Sequence, residues 1–271
     1  MDNRPIGVFD SGMGGLTTVR ELASQMPNES VVYFGDTGRV PYGTRSRETI
    51  LRYARQDVAF LRTFDLKAIV IACGTVSSTA LPELSAEQDI PVFGVVGPTA
   101  LRAAEVTRNN RIGLIATGAT VRTGAYERVM RHANPMAEIT ALACPLFVPL
   151  VENGRTQPGD VVIETVVSDY LSPIKAAGVD TLVLGCTHYP LLSQVIQNYM
   201  GPEVTLLDSG AEVVRQVRER LCASGHEAQP DCKGSYRWFV SDSTEGFAEL
   251  ASRFLGRQVT EPVGQVSIER Y

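Results

Sequence analysis

Lys67-Ala-Ile-Val-Ile-Ala-Cys-Gly-Thr75 is an apolar run that ends on a cysteine and small residues, and Asp180-Thr-Leu-Val-Leu-Gly-Cys-Thr-His188 repeats the device. Short runs of this kind, rich in aliphatic residues and closed by Gly and Thr, predict strands buried on both faces, as in parallel sheets. Ligands of such sheets bind beyond the carboxyl ends of the strands, where loops enter helices. Cys73 and Cys186 are therefore expected at two strand ends. They share one site only in a fold that sets two similar strand ends opposite each other.

A second echo points the same way. Ile6-Gly-Val-Phe-Asp-Ser-Gly12 is matched by Ile112-Gly-Leu-Ile-Ala-Thr-Gly118, in the same order and at nearly the same spacing as the cysteine runs. Two homologous halves explain both pairs, the second half opening near Gly97-Pro98; chance recurrence of Ile-Gly strands is the plainer alternative. Further strands are expected at Val31–Phe34, Pro91–Val95, Arg111–Ala116 and Val204–Leu207. Helical spacing separates them, as in Leu16, Val19, Leu22 and in Ile50, Ala54, Val58, Leu61. Alternation of this kind implies parallel sheets covered by helices. The expected fold class is α/β, with two pseudo-symmetric parallel-sheet domains and the site in the cleft between them. Beyond Leu207 come a helix over Ala211–Leu221, a polar loop over Gly225–Asp231, a strand over Tyr236–Asp242 and a helix over Thr244–Leu255. The tail from Gly256 to Tyr271 carries no clear pattern.

Composition narrows the function classes. The chain has 271 residues, 44% of them hydrophobic and 20% charged, which suits a globular α/β protein rather than a disordered one. A net charge of −5 offers no basic surface for a phosphate backbone, so nucleic acid is not an expected partner. Met1–Asp10 runs into a strand pattern without a leader, and no apolar stretch approaches the ~18 residues of a membrane span. No membrane association is expected, and a cytoplasmic setting is. Five cysteines without a Cys-x-x-Cys pair read as reduced thiols. Cys-Thr-His supplies too few ligands for a metal, and the other histidines are only His132 and His226.

The paired thiols suggest a chemistry. A helix N-terminus brings unpaired N–H groups and partial positive charge, so a thiol placed there is expected below its usual ~8.5. Two such thiols across a small carbon acid could take a proton from one face and give one to the other, inverting the carbon. Asp10 and His188 stand where they could tune the thiols. The plainer reading of a lone strand-end cysteine is core packing; two in matching settings shift the balance. Cys144 and Cys222 lack the polar setting and read as structural, and Cys232 as peripheral. His188 reads equally as a helix cap or a catalytic group. Asp10-Ser-Gly-Met-Gly-Gly-Leu16 lacks the spacing of a dinucleotide or phosphate loop. It reads as a turn that presents Asp10 and Ser11 to a small ligand, or merely as one that needs backbone freedom. Pyridoxal phosphate requires a lysine, and Lys67, Lys175 and Lys233 are at no convincing strand end. No cofactor is expected.

At these residues the chain resembles the glutamate racemases of the aspartate/glutamate racemase superfamily. The matching motifs are Gly7–Thr17, Tyr33-Phe-Gly-Asp-Thr37, Pro41-Tyr-Gly43, Ile71-Ala-Cys73, Ala143-Cys-Pro-Leu146, Val151-Glu152 and Leu184–Pro190, in order over nearly the whole length. The resemblance implies two α/β domains, residues 1–96 plus 208–271 and residues 97–207, with the site between them. It implies interconversion of L- and D-glutamate, supply of D-glutamate for peptidoglycan, and a homodimer. Carried onto this chain, Cys73 and Cys186 become the acid/base pair, assisted by Asp10 and His188, with Glu152 supporting His188. Ser11, Pro41, Tyr42, Gly43, Thr75 and Thr187 would hold the substrate. One departure stands out: the family usually has Cys-Asn-Thr where this chain has Cys73-Gly74-Thr75. The glycine removes a hydrogen bond of about 0.5–1.5 kcal/mol and is expected to relax the loop and widen the pocket, loosening glutamate specificity. An aspartate or other acidic amino-acid racemase, and a non-catalytic amino-acid-binding regulator, stay open as alternatives; a redox function lacks a local dithiol motif.

Overall fold

The computed structural model describes the whole chain, Met1–Tyr271. Its strands are β1 Ile6–Asp10, β2 Val31–Gly35, β3 Ala68–Ile71, β4 Val92–Gly94, β5 Arg111–Ala116, β6 Glu138–Ala143, β7 Thr181–Leu184, β8 Thr205–Asp208, β9 Tyr236–Val240 and β10 Val263–Gln265. Its helices are α1 Leu16–Gln25, α2 Arg47–Leu61, α3 Gly74–Ala86, α4 Val96–Val106, α5 Gly118–Thr123, α6 Ala125–Ala133, α7 Phe147–Glu152, α8 Val161–Ala176, α9 Ser193–Met200, α10 Ser209–Ser224 and α11 Phe247–Leu255. None is long and apolar enough to cross a membrane.

The strands form two all-parallel sheets, ordered β10-β9-β2-β1-β3-β4 and β6-β5-β7-β8. Without β9 and β10, the first sheet has the order of the second. The register repeats as well: Ile6 lies opposite Ala68 and Phe9 opposite Ile71, as Ile112 lies opposite Thr181 and Ile115 opposite Leu184. Each cysteine strand thus runs beside its own Ile-Gly strand, and the residues after both strands emerge together. The expected two parallel-sheet α/β units are present.

Alternate strand residues feed different layers, as a strand with two buried faces requires. Val8 and Val70 pack with Leu16, Val19 and Leu22 of α1, while Phe9, Ile69 and Ile71 pack with Ile50, Ala54 and Val58 of α2. The first of these layers continues without a break into Leu182 and Leu184 of β7, so one apolar core joins the two sheets. The chain returns to the first sheet through α10, which packs on α1 and α4 before β9 pairs with β2. Of the two cysteines expected to be structural, Cys144 is buried, whereas Cys222 lies exposed on α10. Strand β6 has no counterpart in the expected pattern, because it is a partly exposed edge strand without a continuous apolar signal. The tail contributes β10, too short to show a period.

The entrance to β3 is pinned by a buried ion pair. Lys67 Nζ lies 2.5 Å from Glu29 Oε2, with side chains 1% and 3% exposed, and donates to the carbonyls of Asp2 and His226. Glu29 Oε1 accepts from Ala228 N at 2.9 Å, tying in the returning chain. Removing one member of such a pair strands the other charge in the core. Lys67→Met is therefore expected to lower unfolding free energy by about 3–5 kcal/mol, read as a lower urea midpoint with an unchanged slope.

Candidate active site

Strand β1 delivers Asp10 to a glycine-rich turn. The Gly12 N–H donates to Asp10 Oδ2 at 3.1 Å, and Tyr33 Oη donates to the Gly12 carbonyl at 2.7 Å. A Cβ at Gly14 would lie 2.6 Å from His188 Nδ1 and would also collide with the Thr187 hydroxyl. Thr17 Oγ1 donates to the Thr187 carbonyl at 3.0 Å. The turn therefore needs glycine for close approach of the second half, and it also sets out Ser11. Ser11 Oγ accepts from Cys73 Sγ at 3.3 Å.

The two cysteines open onto one cavity of about 380 Å³ between the sheets. From the first half come Ser11, Pro41, Tyr42, Gly43, Cys73, Gly74 and Thr75; from the second come Glu152, Cys186, Thr187 and His188. Asp10 is the one expected site residue outside this lining, buried beneath it with Oδ1 unpartnered. The Tyr42 hydroxyl is engaged by Asp36 and by Asp57 Oδ2, two buried carboxylates bridged by Arg39 at 2.6 and 2.9 Å. No lysine or arginine lines the cavity. Besides Glu152, His188 and the two thiols, its polar character comes from hydroxyls and from backbone at the starts of α3 and α5.

Thr117, absent from the expected set, is central to this lining. Its hydroxyl lies 3.0 Å from that of Thr75 and 3.1 Å from that of Thr120, joining the halves by a chain of hydroxyls. The signal was there, since Thr117 stands where Ser11 stands in the repeated Ile-Gly motif. Phe254 had no such signal. Its ring, on the returning α11, meets the His188 ring edge-on at 5.3 Å.

His188 connects Cys186 to Glu152. Nδ1 lies 3.9 Å from Cys186 Sγ and 3.4 Å from Thr187 Oγ1, while Nε2 lies 3.1 Å from Glu152 Oε1. Burial alone would lower the imidazole pKa, but the bonds to Cys186 and Glu152 and the charges of Cys186 and Asp10 lift it to about 10. Cys73 departs from expectation. Burial first, and then the charge of Asp10, push its thiol up to about 12, and the Ser11 hydroxyl and backbone N–H groups offset only part of this. The cause is that Cys73 caps α3 from within a closed cavity, where desolvation outweighs the helix terminus. Cys186 is not at an α-helix start, because a 3₁₀ turn over Tyr189–Leu192 intervenes before α9. Asp10 is itself raised by burial, against the pull of His188 and of the Gly15, Gly12 and Ser11 N–H groups.

Since His188 titrates near 10 when folded and near 6.5 when free, its contribution to stability is complete below about pH 6.5 and fades as pH rises through 10. Glu152→Gln removes one of the groups that raise it. The variant is expected to lower the His188 pKa by about 1 unit or more, read from imidazole ¹⁵N shifts, and to weaken the loss of stability between pH 6.5 and 10.

Comparison with known proteins agrees with this architecture. A family model described as Asp/Glu/Hydantoin racemase matches residues 10–217. A glutamate racemase of Geobacter metallireducens is 48% identical, over 98% of this chain and 97% of its own length. The solved structure of a glutamate racemase isoform from Bacillus anthracis superposes with a TM-score of 0.93 at 36% identity, covering 98% of each chain. That of the Francisella tularensis glutamate racemase, in complex with D-glutamate, superposes with a TM-score of 0.91 at 36% identity over 100% of both. With its ordered motifs, two matched sheets and paired cysteines, this chain belongs to the Asp/Glu/hydantoin racemase family, among the glutamate racemases.

Proposed function

We propose that the protein interconverts L- and D-glutamate by passing the Cα proton between two thiols. The observation that carries this reading is the placement of Cys73 and Cys186 on equivalent strand ends that open onto one shared cavity. Inversion at a carbon needs an acid and a base on opposite faces, and each half of the fold supplies one. Cys73, held as a thiol by burial and by Asp10, is the acid of the resting site. Cys186, facing the positively charged His188, takes the Cα proton from one face while Cys73 gives its proton to the other. The reverse reaction exchanges these roles. Asp10 and His188 then restore the starting protonation, and Glu152 holds His188 in place.

The substrate's ammonium and two carboxylates are met by Ser11, Thr75, Thr117 and Thr187, and by backbone along Pro41-Tyr42-Gly43 and at the starts of α3 and α5, whose N–H groups suit anions. The bound D-glutamate of the Francisella relative supports this class of ligand. The same reading divides the chain near residues 96 and 208, where the path changes sheet. It includes the supply of D-glutamate to peptidoglycan and the homodimer, both of which rest on the resemblance.

Incubation with L-glutamate and no added cofactor is expected to bring the circular dichroism signal to zero, with solvent deuterium entering Cα. Cys73→Ala and Cys186→Ala are each expected to reduce turnover by about 10²–10⁴-fold. Undiminished racemisation by either variant would overturn the two-thiol reading.

A further inference from the structure

Gly74 follows Cys73 directly and opens α3. Nothing in its own backbone calls for glycine: its φ lies outside the left-handed region that the chain reserves for eight other glycines. As a helical residue it would be better served by alanine. The reason lies across the cleft. A Cβ at Gly74 would stand 2.5 Å from the carbonyl oxygen of Gly185, the residue directly before Cys186. That neighbour is main chain and cannot swing aside. Gly185 is itself locked in place, since its N–H donates to the Ile115 carbonyl at 2.8 Å and a Cβ there would lie 3.0 Å from the same oxygen. The space a side chain would take at position 74 is therefore filled by the opposite strand end. The pocket is not widened there, contrary to expectation; the two halves close onto the glycine.

We propose that Gly74 is the positioning residue that sets how far the cleft closes: by carrying no side chain it lets Cys73-Gly74 and Gly185-Cys186 meet backbone to backbone, and so fixes the separation of the two thiols. Any side chain at position 74 must hold the halves apart by about an ångström. A displacement of that size at reacting atoms costs on the order of 10²-fold in rate. On this view the asparagine usual in related proteins does not simply restore a missing hydrogen bond here. It wedges a cleft built to close without it.

The test uses Gly74→Ala and Gly74→Asn in the full chain, with two readouts. The first is alkylation by iodoacetamide, followed by mass spectrometry at Cys73 and Cys186, with exposed Cys222 as the internal standard. Both cavity thiols are expected to react several-fold faster in the variants, while Cys222 is unchanged. The overlap is expected to lower the Gly74→Ala Tm by several degrees, partly offset by the helix preference of alanine, and the retained cooperative transition shows that accessibility increases without loss of fold. The second readout depends on the racemase reading above: kcat should fall about 10- to 100-fold, with KM moved far less. Unchanged alkylation in both variants would overturn the proposal, and so would a Gly74→Asn kcat at or above that of the parent. If the parent protein does not racemise glutamate, the racemase reading fails, while the alkylation rates still decide the role of Gly74.

Discussion

The site depends on a steric constraint, that two strand ends from different sheets approach until main chain meets main chain. At Gly14 a side chain would run into His188, and at Gly74 it would run into the Gly185 carbonyl. Close-packed interiors do not deform smoothly to relieve such overlaps. The apolar core that runs unbroken from β1 and β3 to β7 holds the strand ends at this distance. On the reading proposed above, the glycines then set the separation of the two thiols, and the Thr75–Thr117 contact closes the same seam with hydroxyls.

Closure has an electrostatic cost. Asp10, Cys73, Cys186 and His188 are all buried, and buried charge must be paired or neutralised. The cavity meets this requirement without a lysine or arginine in its lining. His188 shares its positive charge between Cys186 and Glu152, and Asp10 leans on backbone N–H groups. Behind the lining, Arg39 balances Asp36 and Asp57 and thereby steadies Tyr42. His188, the cationic group of the lining, is engaged with Cys186 and Glu152, so on the proposed reading hydroxyls and backbone N–H dipoles are left to meet a dicarboxylate.

The sequence carried most of the sheet architecture because strands buried on both faces write themselves as unbroken apolar runs, as in Ala68–Ile71 and in residues 112–116 of β5. Strand β6 was silent for the opposite reason: at the edge of its sheet, Glu138–Ala143 is only partly covered. The cysteines were legible through repetition, and Thr117 could have been read from the same repeat. Phe254 could not, because nothing local marks which residue of α11 will meet His188 after the chain has crossed back. The raised thiol of Cys73 is not legible in the sequence, because helix polarity is visible there, whereas the depth of burial that outweighs it is a property of the closed cleft.

The two halves share a fold yet differ where the chemistry needs them to differ. Superposing the repeat places Ala116 where the first half has Asp10, and Thr75 where the second half has His188. Each half has thus received one charged partner for its cysteine, and the signs are opposite. Two identical thiol sites would rest in the same protonation state, and a pair that both held or both lacked a proton could not transfer one across a bound carbon. The negative neighbour helps to push the Cys73 thiol up and so favours its protonated form, whereas Cys186 Sγ faces His188 Nδ1 at 3.9 Å. On the two-thiol reading proposed above, the symmetry of the fold supplies the opposed geometry, and its breaking at two positions sets a different charge beside each thiol.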